Sequence, residues 1–320
     1  MNKVLLLKIH RWISITFALP LAAIIVTGLI LSFEPIVQMQ GVVPHSVDTA
    51  KVIGLMQQFD PAGAARGISI NASAQRLRLQ GGNLPEIDLA TGKATTSSDA
   101  LAGLFLWARR SHERLIGLSW LVTASTVAMV VTMIVGILMG LPRLRNTLSG
   151  WHKGAAWFTL PLILLSPLTG LLMAFGVTLQ SGGAPTPSAR PPAAASASSS
   201  TAARPAGNST TTGKPFTLID AVRQVSQTHD LATVTSIATR GGRMMARIFD
   251  GGELRAYSVS AKGVTALPRN WPRLLHEGNG AAIVTGALNV AISIVLFGLL
   301  ATGLLIWGRR QMRRRPKPVL

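Results

Sequence analysis

Six histidines occur in the 320 residues, and four stand just ahead of long apolar runs: His10, His112, His152 and His276. Imidazole at such a place can ligate a metal, move a proton or anchor a helix at a membrane surface. Recurrence of the same placement favours ligation over four unrelated anchors. The chain has no cysteine, which excludes disulfides, thiolate metal sites, iron–sulfur clusters and covalent C-x-x-C-H attachment of haem. No G-x-S-x-G, H-E-x-x-H, G-x-G-x-x-G or P-loop pattern occurs, so no hydrolase or nucleotide-binding motif competes with the histidines.

The elements that position them are membrane helices. Residues are 48% hydrophobic and only 13% charged, well under the roughly 25% charge of a soluble domain. Four runs reach the roughly 20 apolar residues needed to span a bilayer: about Trp12–Phe33, Leu115–Leu141, Ala155–Leu179 and Ala281–Trp307. The first lacks a small-residue cleavage site and reads as a retained anchor. The net charge of +19 falls largely beside these runs. Lys3, Lys8 and Arg11, then Arg143, Arg145 and Lys153, then the tail from Arg309 to Lys317 mark one common side, expected to be cytoplasmic by the positive-inside bias. The segments about 34–111 and 180–275 then face outward, so Arg109, Arg110 and Arg114 break the bias.

The chain also repeats itself. His10 is followed by Thr27, Gly28 and Phe33, and His152 at the same offsets by Thr169, Gly170 and Phe175. His112-Glu113 and His276-Glu277 precede the second and fourth spans, which close with Gly136, Gly140 and Arg143 against Gly303, Gly308 and Arg309. Each outward segment begins with helical spacing, at 47–59 and 217–229, and continues in alternating strands. The expected fold class is a four-span α-helical membrane bundle with two small α+β outward domains and an internal two-fold duplication. In residue terms this gives span 1 to residue 33, domain 1 at 34–111, span 2 at 112–141 and a loop at 142–152. Span 3 at 153–179, an Ala/Ser/Pro linker at 180–215, domain 2 at 216–275, span 4 at 276–308 and a basic tail at 309–320 complete it. The linker's composition cannot support a packed core and predicts disorder.

With alternating spans, His10 and His152 share the inner edge while His112 and His276 share the outer. Two pairs of imidazoles, one per edge, suit two bis-histidine haems, and without cysteine these are b-type. Helix dipoles at the start of each span would favour neutral imidazole. Haem propionates need cations near hydrocarbon. Arg11 and Lys153 flank the inner pair, and Arg109, Arg110, Arg114 and Arg273 the outer. Gly28, Gly136, Gly170 and Gly303 would admit a helix or a porphyrin close to the backbone. His45 and His229 read as surface or turn residues, and Trp12, Trp107, Trp120, Trp151, Trp157 and Trp307 as interface anchors.

In His10-Arg11-Trp12, Thr27-Gly28, His112-Glu113-Arg114-Leu115, His152-Lys153 and His276-Glu277-Gly278 the chain resembles the PepSY-associated transmembrane proteins, which include inner-membrane ferric-siderophore reductases. Residues 86–93 resemble the strand–turn that closes a PepSY domain. The resemblance implies a bacterial inner-membrane protein with two periplasmic PepSY-like domains and both termini cytoplasmic. It implies two haem b groups, one held by His10 with His152 and one by His112 with His276. The expected activity is electron transfer to a periplasmic ferric chelate, a ferric siderophore above all, releasing Fe(II). Reducing equivalents would come from quinol or a separate flavoprotein. A non-enzymatic regulator that binds a partner through its PepSY-like domains is the alternative from another class. A histidine-lined metal transporter fits less well, because transport places ionisable groups near the midplane.

Overall fold

The computed structural model describes residues 2–81, 84–95, 99–115, 117–141, 145–181 and 216–314. Helix α1 (Lys3–Thr16) begins where the Asn2 side chain accepts the Val4 amide, and α2 (Ala18–Gln40) follows it after Phe17 alone. Pro20 explains the break, since it has no amide to offer the Thr16 carbonyl and its ring crowds that oxygen. Pro35 does not stop α2, which continues past Phe33 to Gln40. Helix α3 (Thr49–Phe59) is capped by Asp48, whose carboxylate accepts the Ala50 and Lys51 amides.

Four strands follow: β1 (Gly67–Asn71), β2 (Arg76–Gln80), β3 (Glu86–Asp88) and β4 (Ala94–Thr95). Asp99 caps α4 (Ala100–Arg114), which ends where Leu115 turns left-handed at φ 32° before α5 (Ser119–Leu138). After α6 (Leu148–Ala174) and the short β5 (Gln180–Ser181), Thr217 and Asp220 form a capping box for α7 (Leu218–Ser226). Then come β6 (Val234–Arg240), β7 (Arg243–Asp250), β8 (Glu253–Ser260), β9 (Gly263–Ala266) and β10 (Arg269–Asn270), the last pairing with β5. Helices α8 (Trp271–Glu277) and α9 (Ala282–Arg314) complete the chain. Of the linker, only its first residues, to Ser181, are described.

The two outward domains expected from the sequence are joined into one. Eight strands form a single antiparallel sheet in the order β4-β3-β2-β1-β6-β7-β8-β9. The seam is β1 against β6, with Gly67 opposite Ala238, Ile68 opposite Ile237 and Ser69 opposite Ser236. Alternation puts Ile68, Ile70, Leu77, Leu79, Ile87, Ile237, Ala246 and Ile248 on one face, under Val52, Leu55 and Met56 of α3 and Ala221, Val222 and Val225 of α7. Two thin half-cores thus become one continuous core, which a sheet of three or four strands could not supply alone.

Among the described residues, four helices are long and apolar enough to cross a membrane: Ala18–Gln40, Ser119–Leu138, Leu148–Ala174 and Ile283–Met312. Helix α9 packs along α2 and α6, α5 lies against α1 and α6, and the centre holds Leu21, Ile25, Ile163, Ile292 and Leu296.

Candidate cofactor site: two pairs of imidazoles

His112 and His276 lie in the last turns of α4 and α8. Their helices do not run into the following spans. Each packs instead against a long helix, α4 on α2 and α8 on α6, which brings each histidine beside the middle of a span it does not precede. His112 Nδ1 lies 3.0 Å from the Ile24 carbonyl oxygen and 3.2 Å from Thr27 Oγ1. His276 Nδ1 lies 3.0 Å from the Ser166 carbonyl oxygen and 3.2 Å from Thr169 Oγ1. A carbonyl oxygen only accepts, so Nδ1 carries the proton in each ring and Nε2 keeps its lone pair. Both threonines donate into their own helix, Thr27 to the Ala23 carbonyl and Thr169 to the Leu165 carbonyl. Each thus has a lone pair for the same Nδ1–H.

The glycines paired in the sequence make room for these rings. A Cβ on Gly28 would stand 3.1 Å from His112 Cε1, and one on Gly170 would stand 3.0 Å from His276 Cε1. The close approach is therefore by imidazole, where the sequence suggested a helix or a porphyrin. The two ring centroids are 6.0 Å apart, with planes inclined at 49°.

The second pair lies away from the sheet. His10 Nδ1 is 3.2 Å from the Thr132 carbonyl oxygen. His152 Nδ1 is 2.8 Å from Thr302 Oγ1, whose own proton goes to the Gly298 carbonyl at 2.7 Å. Helix α1, which carries His10, and helix α6, which carries His152, both pack on α5 and α9. A Cβ on Gly303 would meet His152 Cε1 at an ordinary 3.6 Å, and one on Gly136 would meet nothing within 4 Å among the described residues. Along α6, His152 and Thr169 are separated by about 25 Å at 1.5 Å per residue, and the apolar centre fills the bundle between them.

All four rings share one donor pattern: Nδ1 is held by the protein, and Nε2 makes no hydrogen bond among the described residues. Ligating histidines are oriented in this way through the other ring nitrogen. A metal–imidazole bond is about 2.0–2.1 Å and the ring centre lies about 1.1 Å further on, so rings on opposite sides of one metal have centroids about 6 Å apart. The spacing of His112 and His276 fits that arrangement. Among the described residues no group of three or more His, Asp or Glu could hold a bare metal ion. What the chain offers is imidazoles in two pairs, each ring held at Nδ1.

The surrounding cations fall into two groups, paired and unpaired. Arg109 is engaged by Glu34 of α2, and Arg273 by Glu277 at 3.1 Å. Glu277 is also held by Arg247 of β7 at 3.1 Å and by the Asn279 amide at 2.8 Å. Arg110 and Arg114 carry no ion pair among the described residues, and Arg11 stacks near Trp12 with its guanidinium carbon 6.0 Å from the ring centre. Lys153 is exposed. Arg11, Lys153, Arg110 and Arg114 thus keep their charges available, while Arg109 and Arg273 are paired. The helix-dipole argument fails for His112 and His276, because both sit at C-terminal, negative ends.

His45 and His229, read as surface or turn residues, line one hollow of about 440 Å³ with Asp48 and Asp230. His45 has φ 61°, and its backbone amide donates to Asp230. Sequence reasoning missed Asn289, whose side-chain amide donates to the Leu275 and His276 carbonyls and closes the end of α8. An asparagine inside an apolar span was the available signal.

A search of curated proteins returns no match. A family model described as the PepSY-associated TM region matches residues 7–310, a range that takes in all four histidines, the spanning helices and the sheet. The chain is a multi-pass membrane protein and belongs to the PepSY-associated TM region family.

Proposed function

We propose that the protein is a membrane-spanning one-electron reductase holding two haem b groups, His10 with His152 and His112 with His276, and that it reduces a ferric chelate on the sheet side, releasing Fe(II). The observation that carries this reading is the common state of the four imidazoles, each held at Nδ1 with Nε2 free, in two pairs on either side of an apolar core. When bound, haem b supplies one-electron redox chemistry. The chain's own residues do the rest. Ile24, Ser166 and Thr132 fix three tautomers through backbone carbonyls, Thr302 fixes the fourth, and Gly28 and Gly170 give the rings their seats. Arg11, Lys153, Arg110 and Arg114 are the free cations for propionates, while Arg273 serves by neutralising Glu277.

The matched Thr-Gly seats of His112 and His276 support an internal duplication, with one repeat on either side of the loop at 142–152. On this reading the sheet is periplasmic, the membrane is the bacterial inner membrane and both termini are cytoplasmic. The donor is a quinol or a cytoplasmic flavoprotein, and the acceptor a ferric siderophore or similar chelate.

The test is an absorption spectrum of the detergent-purified protein, oxidised and dithionite-reduced, with a pyridine haemochrome assay. Close to two low-spin b haems per chain are expected, and about one in His112→Ala or His276→Ala. A colourless protein from haem-supplied cells would defeat the reading and favour a partner-binding regulator.

A further inference from the structure

The sheet has a second face, and it carries a continuous polar row. Across the strands, Glu86 stands opposite Arg78, Arg78 opposite Ser69, Ser69 opposite Ser236, and Ser236 opposite Arg247. The neighbouring row is Gln80, Gly67, Ala238, Met245 and Ser258. Between the two arginines the floor is therefore Ser, Gly and Ala, with nothing large standing up from it. Neither serine hydroxyl makes a hydrogen bond among the described residues, and Arg78, which is exposed, has no ion pair there, with Glu86 or any other group.

This face is turned toward the helices that carry His112 and His276. Arg247 reaches Glu277, the residue after His276, at 3.1 Å, and Asn71 of β1 donates at 3.2 Å to Asp99, which caps α4. Ser69, Arg78 and Gln80 line a hollow of about 330 Å³, within the range of small-molecule sites. At about 4.8 Å per strand, Arg78 and Arg247 stand about 14 Å apart. A ligand on this row has Arg78 at one end and the α8 turn bearing His276 at the other.

We propose that this row is the floor of the acceptor site and that it takes an anionic metal chelate, one whose metal is wrapped by carboxylate or catecholate oxygens. The proposal rests on the reductase reading for its purpose and on the sheet alone for its chemistry. A free guanidinium gives a carboxylate a forked, charge-assisted pair of hydrogen bonds. Unengaged serine hydroxyls and the Gln80 amide donate to further ligand oxygens, and the small floor leaves room for a bulky complex.

The test titrates full-length, detergent-solubilised protein with gallium(III)–EDTA, a redox-inert anion, by calorimetry. Saturable binding is expected, weakened at least about tenfold in Arg78→Glu through loss of a charge-assisted contact, and weakened also in Ser236→Leu, which fills the floor. Both variants should keep the wild-type haem spectrum. Gallium(III)–desferrioxamine B, a cation, should bind more weakly than the anion. The site is overturned if the wild type ignores the anion, if Arg78→Glu binds it as well as wild type, or if the cation binds equally. Haem content on the same samples separates the two readings. Protein without haem that binds the anion through Arg78 keeps the site and defeats the reductase, whereas haem-loaded protein that ignores the anion defeats the site alone.

Discussion

At the scale of single residues, the imidazoles are placed by what lies within a few tenths of an ångström of them. Gly170 leaves 3.0 Å between an added Cβ and His276 Cε1, whereas Gly303 leaves 3.6 Å beside His152. The first is too close for a methyl group unless the ring moves, and the second is ordinary contact. Gly170→Ala should therefore lower haem content toward about one per chain, while Gly303→Ala should leave it near two; haemochrome stoichiometry of the two variants decides. Two full complements would show that the His276 ring can shift without losing its role. These glycines could be picked out in the sequence because they recur with a threonine at a fixed distance from a histidine. Their occupant could not. That His112, rather than His10, faces Gly28 depends on α4 folding back on α2, a tertiary fact with no local trace.

At the scale of elements, the β7–β8 hairpin provides a titration probe. Tyr257, the one tyrosine in the chain, donates its hydroxyl to Asp250 at 2.5 Å. Burial first, then the Asp250 hydrogen bond and charge, push its pKa up to about 12. The unfolded chain releases this proton near 10, so the native state binds more protons between those values. The stability held by the neutral phenol is intact below about pH 10 and is lost as pH rises toward 12. Tyrosinate absorbance should show a midpoint near 12 in folded protein, and a midpoint near 10 would contradict the buried pairing. The strands of this hairpin were legible from alternation, and the turn from Asp250-Gly251-Gly252. So were α3, α7 and the four spans. Helices α4 and α8 were not, because His-Glu ahead of an apolar run reads as the start of that run. Leu115 and Gly278, both left-handed, end the short helices there instead. The β1–β6 seam was equally hidden, since pairing between strands so far apart in the chain is decided by assembly and leaves no local pattern.

For the whole molecule, the seam and the packing of α2 on α9 hold together two stretches of chain that are joined covalently only at the loop between α5 and α6. Cleaving the chain within that loop, or expressing residues 1–144 and 145–320 as separate polypeptides in one cell, should still yield a complex that copurifies in detergent. Failure to copurify would show that the covalent connection is needed for assembly. The stretch before the cut carries His10 and His112, and the stretch after it carries His152 and His276. Neither fragment owns a pair. Each pairing of imidazoles is made across the boundary, one ring from either side, as a dimer shares its sites between subunits. Expressed alone, each fragment should be pale, and colour should appear only when both are present. Haem absorbance would then report directly on whether the two parts have found each other.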